Sequence, residues 1–323
     1  MTSNKRILSL THEQDVDGLF SAAILKNTFP DTLVFLTNYG HKNMQRAATI
    51  IKSNVARSSK KGTIIISDLG IDGAQHIDLM KDAAIEARNY GWDFVWIDHH
   101  VWSEEIKKKV GSFASLILPC NDMKCTAELV YEKFAKNRRT CERIAKFAHT
   151  VDFRLPAVDR LPPLSELISY YRSLPNSYQK LQSIVNKASK GIFWDDDLQE
   201  DFEYHYLPIK GSALTSAMKS LKIYDIYNHK VAITESPRII SKSILSEKIF
   251  IEKPEISLII LFAPDGKVSI RKNSRSDIKC DVIGRRLNGG GHDYAAAGII
   301  KNNGENLKIG QVAQAIETIL KDI

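Results

Sequence analysis

The first two-thirds of this 323-residue chain alternate short apolar runs with segments of helical spacing, and few folds accept that order. The runs at 7–10, 33–36, 63–67, 94–97 and 115–118 are too short for buried helices. They read as strands. Between them, segments 19–25, 77–90, 125–136 and 140–149 space their apolar residues as helices do. Strands separated by helices call for crossover connections, hence a mostly parallel sheet covered on both faces. Stretch 160–225 changes character, with Pro162, Pro163 and Pro175 and few β-type runs. From about 230 the β signal returns at 230–234, 257–262 and 268–271, and a last helix is expected near 311–321. The expectation is α/β throughout: a catalytic domain over 1–190, a helical connector over 191–229 and a smaller α/β domain over 230–323.

In open parallel sheets, ligands bind beyond the carboxyl ends of the strands. The run 7–10 leads into THEQDVDG, which supplies His12, Asp15 and Asp17. The run 63–67 leads into Asp68, and the run 94–97 into Asp98, His99 and His100. Asp152 is expected just after the helix over 140–149. Aspartates that follow strands are often turn formers or helix caps, and Asp68 or Asp17 taken singly reads that way. Four segments bringing acids and imidazoles to one edge do not. Carboxylates so crowded repel one another unless cations stand between them. Two divalent ions would balance Asp15, Asp17, Asp68 and Asp152. Mixed carboxylate and imidazole donors suit Mn²⁺ better than Ca²⁺, with Mg²⁺ or Co²⁺ as alternatives. Paired ions can lower the pKa of a shared water and clamp the attacking and leaving oxygens of a phosphoester.

The later part of the chain supplies cations. Between Lys267 and Arg286 there are seven Lys or Arg and two Asp, within a chain of net charge +7 and pI about 9.0. That excess fits a phosphate-facing surface. Arg271 and Arg275 could make bidentate contacts to phosphate, and Ser274 and Ser276 offer hydroxyls. Gly289, Gly290 and Gly291 would let backbone N–H groups approach an anion, with His292 beside them. A flexible turn and a solvated basic face are the simpler readings of these features in isolation. Thr126 opens a helix, and capping accounts for it. The four cysteines contain no CxxC pair, which argues against zinc and for a reducing, cytoplasmic setting. No signal peptide or membrane span is expected.

Taken together, DVDG, SDLG, Asp98-His99-His100 and Gly289-Gly290-Gly291-His292 resemble the DHH phosphoesterase superfamily with its DHH-associated C-terminal domain, in its RecJ-like or nanoRNase-like branch. The resemblance implies His12 and Asp15 on one metal, and Asp17, His99 and Asp152 on the other, with Asp68 bridging. It places His100 against the scissile phosphate or a bridging water, and Asp98 behind a histidine ligand. It also implies substrate binding by Arg271, Arg275, Ser276 and the Gly289–His292 loop, and an active site in the cleft between domains. Two residues, Glu13 and Gln14, separate His12 from Asp15, where the family usually has one or three. Either could therefore stand in for His12.

The leading expectation is a metal-dependent exonuclease acting on single-stranded DNA or RNA or on short oligonucleotides. A small-nucleotide phosphodiesterase or phosphatase would use the same metals in a shorter cleft. A non-catalytic scaffold with a replication or repair protein as partner ranks third, because nearly all the ligand types remain.

Overall fold

The computed structural model describes residues 6–322 except 59, 72, 121, 122, 156, 158–160, 302 and 303. The chain divides into two compact units, Met1–Gln199 and Glu200–Ile323.

The first unit runs β1 (Arg6–His12), α1 (Val16–Thr28), β2 (Leu33–Thr37), α2 (His41–Ala56), β3 (Gly62–Ser67) and α3 (Ala74–Asn89). It continues with β4 (Asp93–Ile97), α4 (Glu104–Gly111), β5 (Ser115–Ile117), α5 (Thr126–Val130), α6 (Arg139–Asp152), α7 (Leu164–Tyr171) and α8 (Ser177–Ser189). A π-helical turn, Tyr131–Ala135, extends α5. The five strands are all parallel, in the order β2-β1-β3-β4-β5. Strand order therefore reverses between β1 and β3, the point beyond whose carboxyl ends open parallel sheets bind ligands.

Burial on both faces is what makes these strands continuous apolar runs. Leu8 and Leu10 of β1, Ile64 and Ile66 of β3, and Phe94 and Trp96 of β4 form a core with Met44, Ile51 and Val55 of α2 and Met80 and Ala84 of α3. α1 is buried along its length from Val16 to Leu25 and packs on β1, α5, α6 and α8. Such an all-round apolar helix is a core element. It fixes the start of α1, and with it Asp15 and Asp17, against the end of β1.

The second unit follows α9 (Asp196–Glu200) with a π-helical turn, Asp201–Tyr206, and α10 (Leu207–Ser220). Then come β6 (Lys222–Ile226), β7 (His229–Glu235), α11 (Lys242–Glu252), β8 (Leu258–Phe262) and β9 (Lys267–Lys272). α12 (Cys280–Arg286), β10 (Gly290–Gly291), β11 (Ala295–Ile299) and α13 (Ile309–Lys321) complete it. The sheet order is β10-β11-β9-β8-β7-β6, with β7 and β8 parallel and the other pairs antiparallel.

Two expectations are corrected. Residues 191–229 are not wholly helical, because β6 lies among them as the edge of the second sheet. Most of its residues are exposed, so the alternation that marks a half-buried strand is missing. It pairs with β7 through a two-residue turn, Tyr227-Asn228, with φ of 44° and 67°. Asn-Gly or Asp-Gly would have announced such a turn in the sequence. Asp152 is the last residue of α6 rather than a residue beyond it.

Ile64 is fully buried between β1, β4 and the α2–α3 layer. Ile64→Ala should destabilise the first unit by about 2–5 kcal/mol. Urea unfolding followed by circular dichroism measures this, and a loss below about 1 kcal/mol would contradict the packing described.

Candidate functional site

The parallel ladder ends, and the polar residues begin, at one level. Asp68 N–H donates to Ile97 O at 3.0 Å and Asp98 N–H to Ile117 O at 3.1 Å, so each strand is held by its neighbour up to the first acid. Asp68 then turns into the left-handed region, with φ 57°. Aspartate tolerates that conformation better than most residues. Gly18 lies opposite: a Cβ there would stand 2.2 Å from the His12 carbonyl oxygen and 3.0 Å from Asp68 Oδ2. Glycine after Asp17 is thus required for the start of α1 to reach the end of β1.

His12 and Asp68 meet at the switch point. His12 Nδ1 is 3.5 Å from Asp68 Oδ2 and 3.3 Å from Asp15 Oδ2. Asp15 is also the N-cap of α1, accepting the Gly18 N–H at 3.1 Å. On the other side of Asp68, His99 Nε2 is 3.6 Å from Asp68 Oδ1 and 3.9 Å from Asp17 Oδ2. His99 Nδ1 is 3.8 Å from Asp152 Oδ2. Donor atoms thus gather in three overlapping groups, each within 4.8 Å: His12, Asp15 and Asp68; Asp17, His99 and Asp152; Asp68, His99 and His100. Asp68 turns one oxygen toward each of the first two groups.

Asp17 is held by a helix start. Its carboxylate accepts the N–H groups of Thr126 and Ala127 at 2.7 Å each, at the first turn of α5, where the helix dipole favours an anion. Thr126 Oγ1 donates to Asp68 Oδ1 at 3.3 Å. Thr126 therefore belongs to this cluster and does more than open its helix. Asp98, fully buried, accepts from His100 Nδ1 at 2.8 Å and from Trp102 Nε1 at 2.6 Å. Glu13 and Gln14 turn to Asn38 beyond β2, the former at 3.5 Å. Neither stands in for His12 among the gathered donors.

The electrostatics follow from burial and crowding. Burial, reinforced by Asp15, Asp17, Asp98 and Asp152, pushes the Asp68 carboxyl well above the usual carboxylate range. Burial, with Asp17 and Asp15 behind it, raises Asp152 to about 8. Burial opposes ionisation of Asp98 too, but its bond to His100 prevails and holds it below the ordinary value. Burial likewise opposes charge on His100, whose side chain is 34% exposed, and the Asp98 carboxylate overrides it, raising the imidazole to about 9.

These residues fit divalent cations. Asp68 Oδ2 and both ring nitrogens of His12 are shut off from solvent without a hydrogen-bond partner. Buried polar atoms left so are costly unless something else satisfies them. Mixed oxygen and nitrogen donors around shared carboxylates are what a first-row divalent ion accepts.

In the second unit, Arg271 lies at the end of β9 opposite Ala295 of β11. Its guanidinium donates to Ser269 Oγ and to the Ile270 carbonyl at 3.0 Å each. Arg275 and Ser276 lie in the turn that follows, tied through Asn273. The glycines carry more than one demand. A Cβ at Gly289 would meet Ala297 O at 2.1 Å, and one at Gly291 would meet Ala295 O at 2.5 Å, so both are required by close approach to β11. Gly289 N–H is already taken by Gly284 O at 2.8 Å. A Cβ at Gly290 would stand in open space. His292 stacks on Tyr294, with ring centroids 5.4 Å apart.

Residues 6–151 match the DHH family, N-terminal domain, and residues 230–322 match the DHHA1 domain. The chain belongs to the DHH family of phosphoesterases, with a DHHA1 domain in its C-terminal part. A Helicobacter pylori protein named 3′,5′-cyclic-nucleotide phosphodiesterase is 23% identical over 348 residues, covering 95% of this chain and 97% of that one. A Vibrio pGpG-specific phosphodiesterase shares the fold with a TM-score of 0.54 at 15% identity, covering 99% of this chain and 100% of that one. RecJ of Thermus thermophilus, solved in complex with Mg²⁺, does so with a TM-score of 0.50 at 13% identity, covering 99% of this chain and 50% of that one. Among the described residues no helix is long and apolar enough to cross a membrane.

Tyr39, which carries no motif in the sequence, also lies beside His12. Its ring centroid is 5.0 Å from that of His12, and its hydroxyl accepts the Gly70 N–H at 3.4 Å. The strand-end rule, applied to β2 as it was to β1, β3 and β4, points to this segment.

The raised carboxyls give a pH prediction. A carboxyl whose folded pKa exceeds its unfolded one stabilises the fold below the unfolded value, about 4, and loses that contribution as pH rises through the folded value. EDTA-treated protein should therefore lose stability between about pH 4 and the Asp152 value of about 8. Added Mn²⁺ should raise Tm by an increment that grows with pH across that window. Thermal unfolding at several pH values reads it, and a pH-independent increment would sink the electrostatic account.

Proposed function

We propose that this chain is a two-metal phosphodiesterase acting on small nucleotides, such as a 3′,5′-cyclic nucleotide or a linear dinucleotide. The observation that carries the reading is Asp68, whose two oxygens face two separate groups of donors. His12, Asp15 and Asp68 would hold one divalent ion, and Asp17, His99, Asp152 and Asp68 the other. Mn²⁺ is the first choice for such mixed donors, with Mg²⁺ or Co²⁺ next. When bound, the pair supplies a water of lowered pKa and positive charge for the phosphoryl oxygens.

The protein's own groups do the remaining work. Asp98, anchored by Trp102, fixes the His100 ring through Nδ1 and keeps it protonated near neutral pH. The other nitrogen, Nε2, is then the one to donate a hydrogen bond or proton to a phosphoryl or leaving oxygen. Asp17, pinned by the Thr126 and Ala127 amides, and Asp68, pinned by Thr126, keep their geometry without help from substrate. In the second unit, Arg271, Arg275, Ser276, Gly290 and His292 are candidates for contacts to the nucleotide.

Support for a small substrate comes from relatives. The two named for small nucleotides are matched along nearly their whole length, and RecJ along half. An exonuclease acting on longer single strands is the second reading, favoured by the net charge of +7. Salt separates the two, since polymer binding weakens steeply with ionic strength.

Purified protein with Mn²⁺ should hydrolyse a 3′,5′-cyclic nucleotide or a linear dinucleotide, and EDTA should abolish turnover. Asp68→Ala or His99→Ala should lower kcat/KM by more than about 100-fold, and His100→Ala by about 10²–10⁴-fold. Chromatography of the products decides. Turnover of only long single strands, falling steeply with salt, would replace this reading with the exonuclease, and silence on every phosphodiester would refute both.

A further inference from the structure

Asp17 and Asp152 share one donor group with His99, yet they are anchored differently. Asp17 accepts the amides of Thr126 and Ala127 at 2.7 Å each. The Asp152 carboxylate makes no hydrogen bond among the described residues, and its approach to His99 Nδ1, 3.8 Å, is too long for one. Its position therefore depends on where α6 ends, because Asp152 is the last residue of that helix.

The end of α6 is tied to the turn that holds Asp17. Glu128 Oε2 accepts the Cys125 N–H at 3.0 Å, closing a capping box over the start of α5. The same oxygen accepts from His149 Nδ1 at 2.7 Å. His149 lies in the last turn of α6, three residues before Asp152, so the two side chains leave the helix on one face. Its ring also packs on Phe153, with centroids 4.7 Å apart. The span 126–128 thus fixes Asp17 through two amides and the end of α6 through one carboxylate.

The His149 and Glu128 side chains are 24% and 25% exposed. A polar pair placed so contributes about 1 kcal/mol or less to stability. Its effect on a metal centre is larger, because ligands must be held to within about 0.5 Å of their working geometry.

We propose that His149, through Glu128, is a positioning residue for Asp152. Their bond sets Asp152 against Asp17, and so tunes the affinity of the ion that Asp17, His99, Asp152 and Asp68 would hold. The proposal rests on the two-metal reading for the ligand, and on the two bonds to Glu128 for the residue.

The test is calorimetric titration of metal-stripped full-length protein with Mn²⁺, wild type beside His149→Phe, His149→Asn and Asp152→Asn. The step that Asp152→Asn weakens is the one belonging to this ion. His149→Phe keeps a ring against Phe153 but lacks the donor. It should weaken that step by about 10- to 100-fold, the range for residues that orient a metal ligand, and the other step by less than about threefold. His149→Asn, whose amide N–H can stand where the Nδ1–H stood, should recover most of the loss. Added to Asp152→Asn, His149→Phe should cost less than about twofold more, because both act through one ligand. Metal-free His149→Phe should melt within about 4 °C of wild type. An unchanged titration of His149→Phe would overturn the proposal. So would equal weakening of both steps, or the same loss with and without the Asp152 carboxylate, each of which marks a general structural role. If the steps respond as expected but no phosphodiester is hydrolysed, the positioning role stands and the activity reading falls. A wild type that binds no Mn²⁺ refutes the two-metal centre and this role together.

Discussion

The shared carboxylate of Asp68 is the constraint around which the first unit is arranged. It is 1% exposed, ringed by Asp15, Asp17, Asp98 and Asp152, and built on a backbone turn with φ 57°. An ionised carboxylate crowded and buried in this way destabilises the free fold. Three of the four neighbouring acids carry their own compensation: Asp17 two helix amides, Asp98 an imidazole and an indole, Asp15 an amide and a histidine. Asp68 has the Thr126 hydroxyl on one oxygen and, on the other, no hydrogen bond, only the His12 imidazole at 3.5 Å. The least compensated of the buried acids is the one in contact with both donor groups, which is the arrangement expected of a centre completed by cations.

That arrangement also explains the helices around it. Asp17 can be buried only because α5 begins where it does, and Gly18 leaves room only because it lacks a Cβ. The all-round burial of α1 then transmits the position of β1 to α6, whose last residue is Asp152. Three secondary structures thus place acids on one imidazole, His99, through packing of ordinary apolar side chains.

What could be read in the sequence follows from the same physics. The strands were legible because both faces of a parallel sheet are buried, so TIIIS at β3 carries its signal in a few residues. The acids were legible because strand ends are where such sheets bind ligands. Tyr39 follows β2 as the acids follow β1, β3 and β4, but a tyrosine does not stand out as a metal-ligand type, and its ring contact with His12 is defined only by the folded chain. The role of Thr126 is hidden in the sequence, since a hydroxyl at a helix start has a local explanation and its bond to Asp68 spans 58 residues. The edge strand β6 was missed because solvent, not a core, covers most of it, and the second sheet consequently begins earlier than the return of the apolar runs implied.

The basic character of the C-terminal part needs the same scrutiny. Of the seven cations between Lys267 and Arg286, four sit in ion pairs: Lys267 with Asp265, Lys272 with Asp293, Arg285 with Asp281 and Arg286 with Asp322. Arg271 donates to Ser269 and to a backbone carbonyl. Exposed pairs contribute little to stability, but each cancels locally the field that would draw a polyanion. Arg275 and Lys279 are left with no ion pair among the described residues. A surface that tracks a long nucleic acid needs a run of unpaired cations, because affinity there grows with the number of phosphates neutralised. Arg271, Arg275 and Lys279 would suit one or two phosphates, and on that ground the sequence-level excess of charge is a weaker argument for a polymer than its size implies.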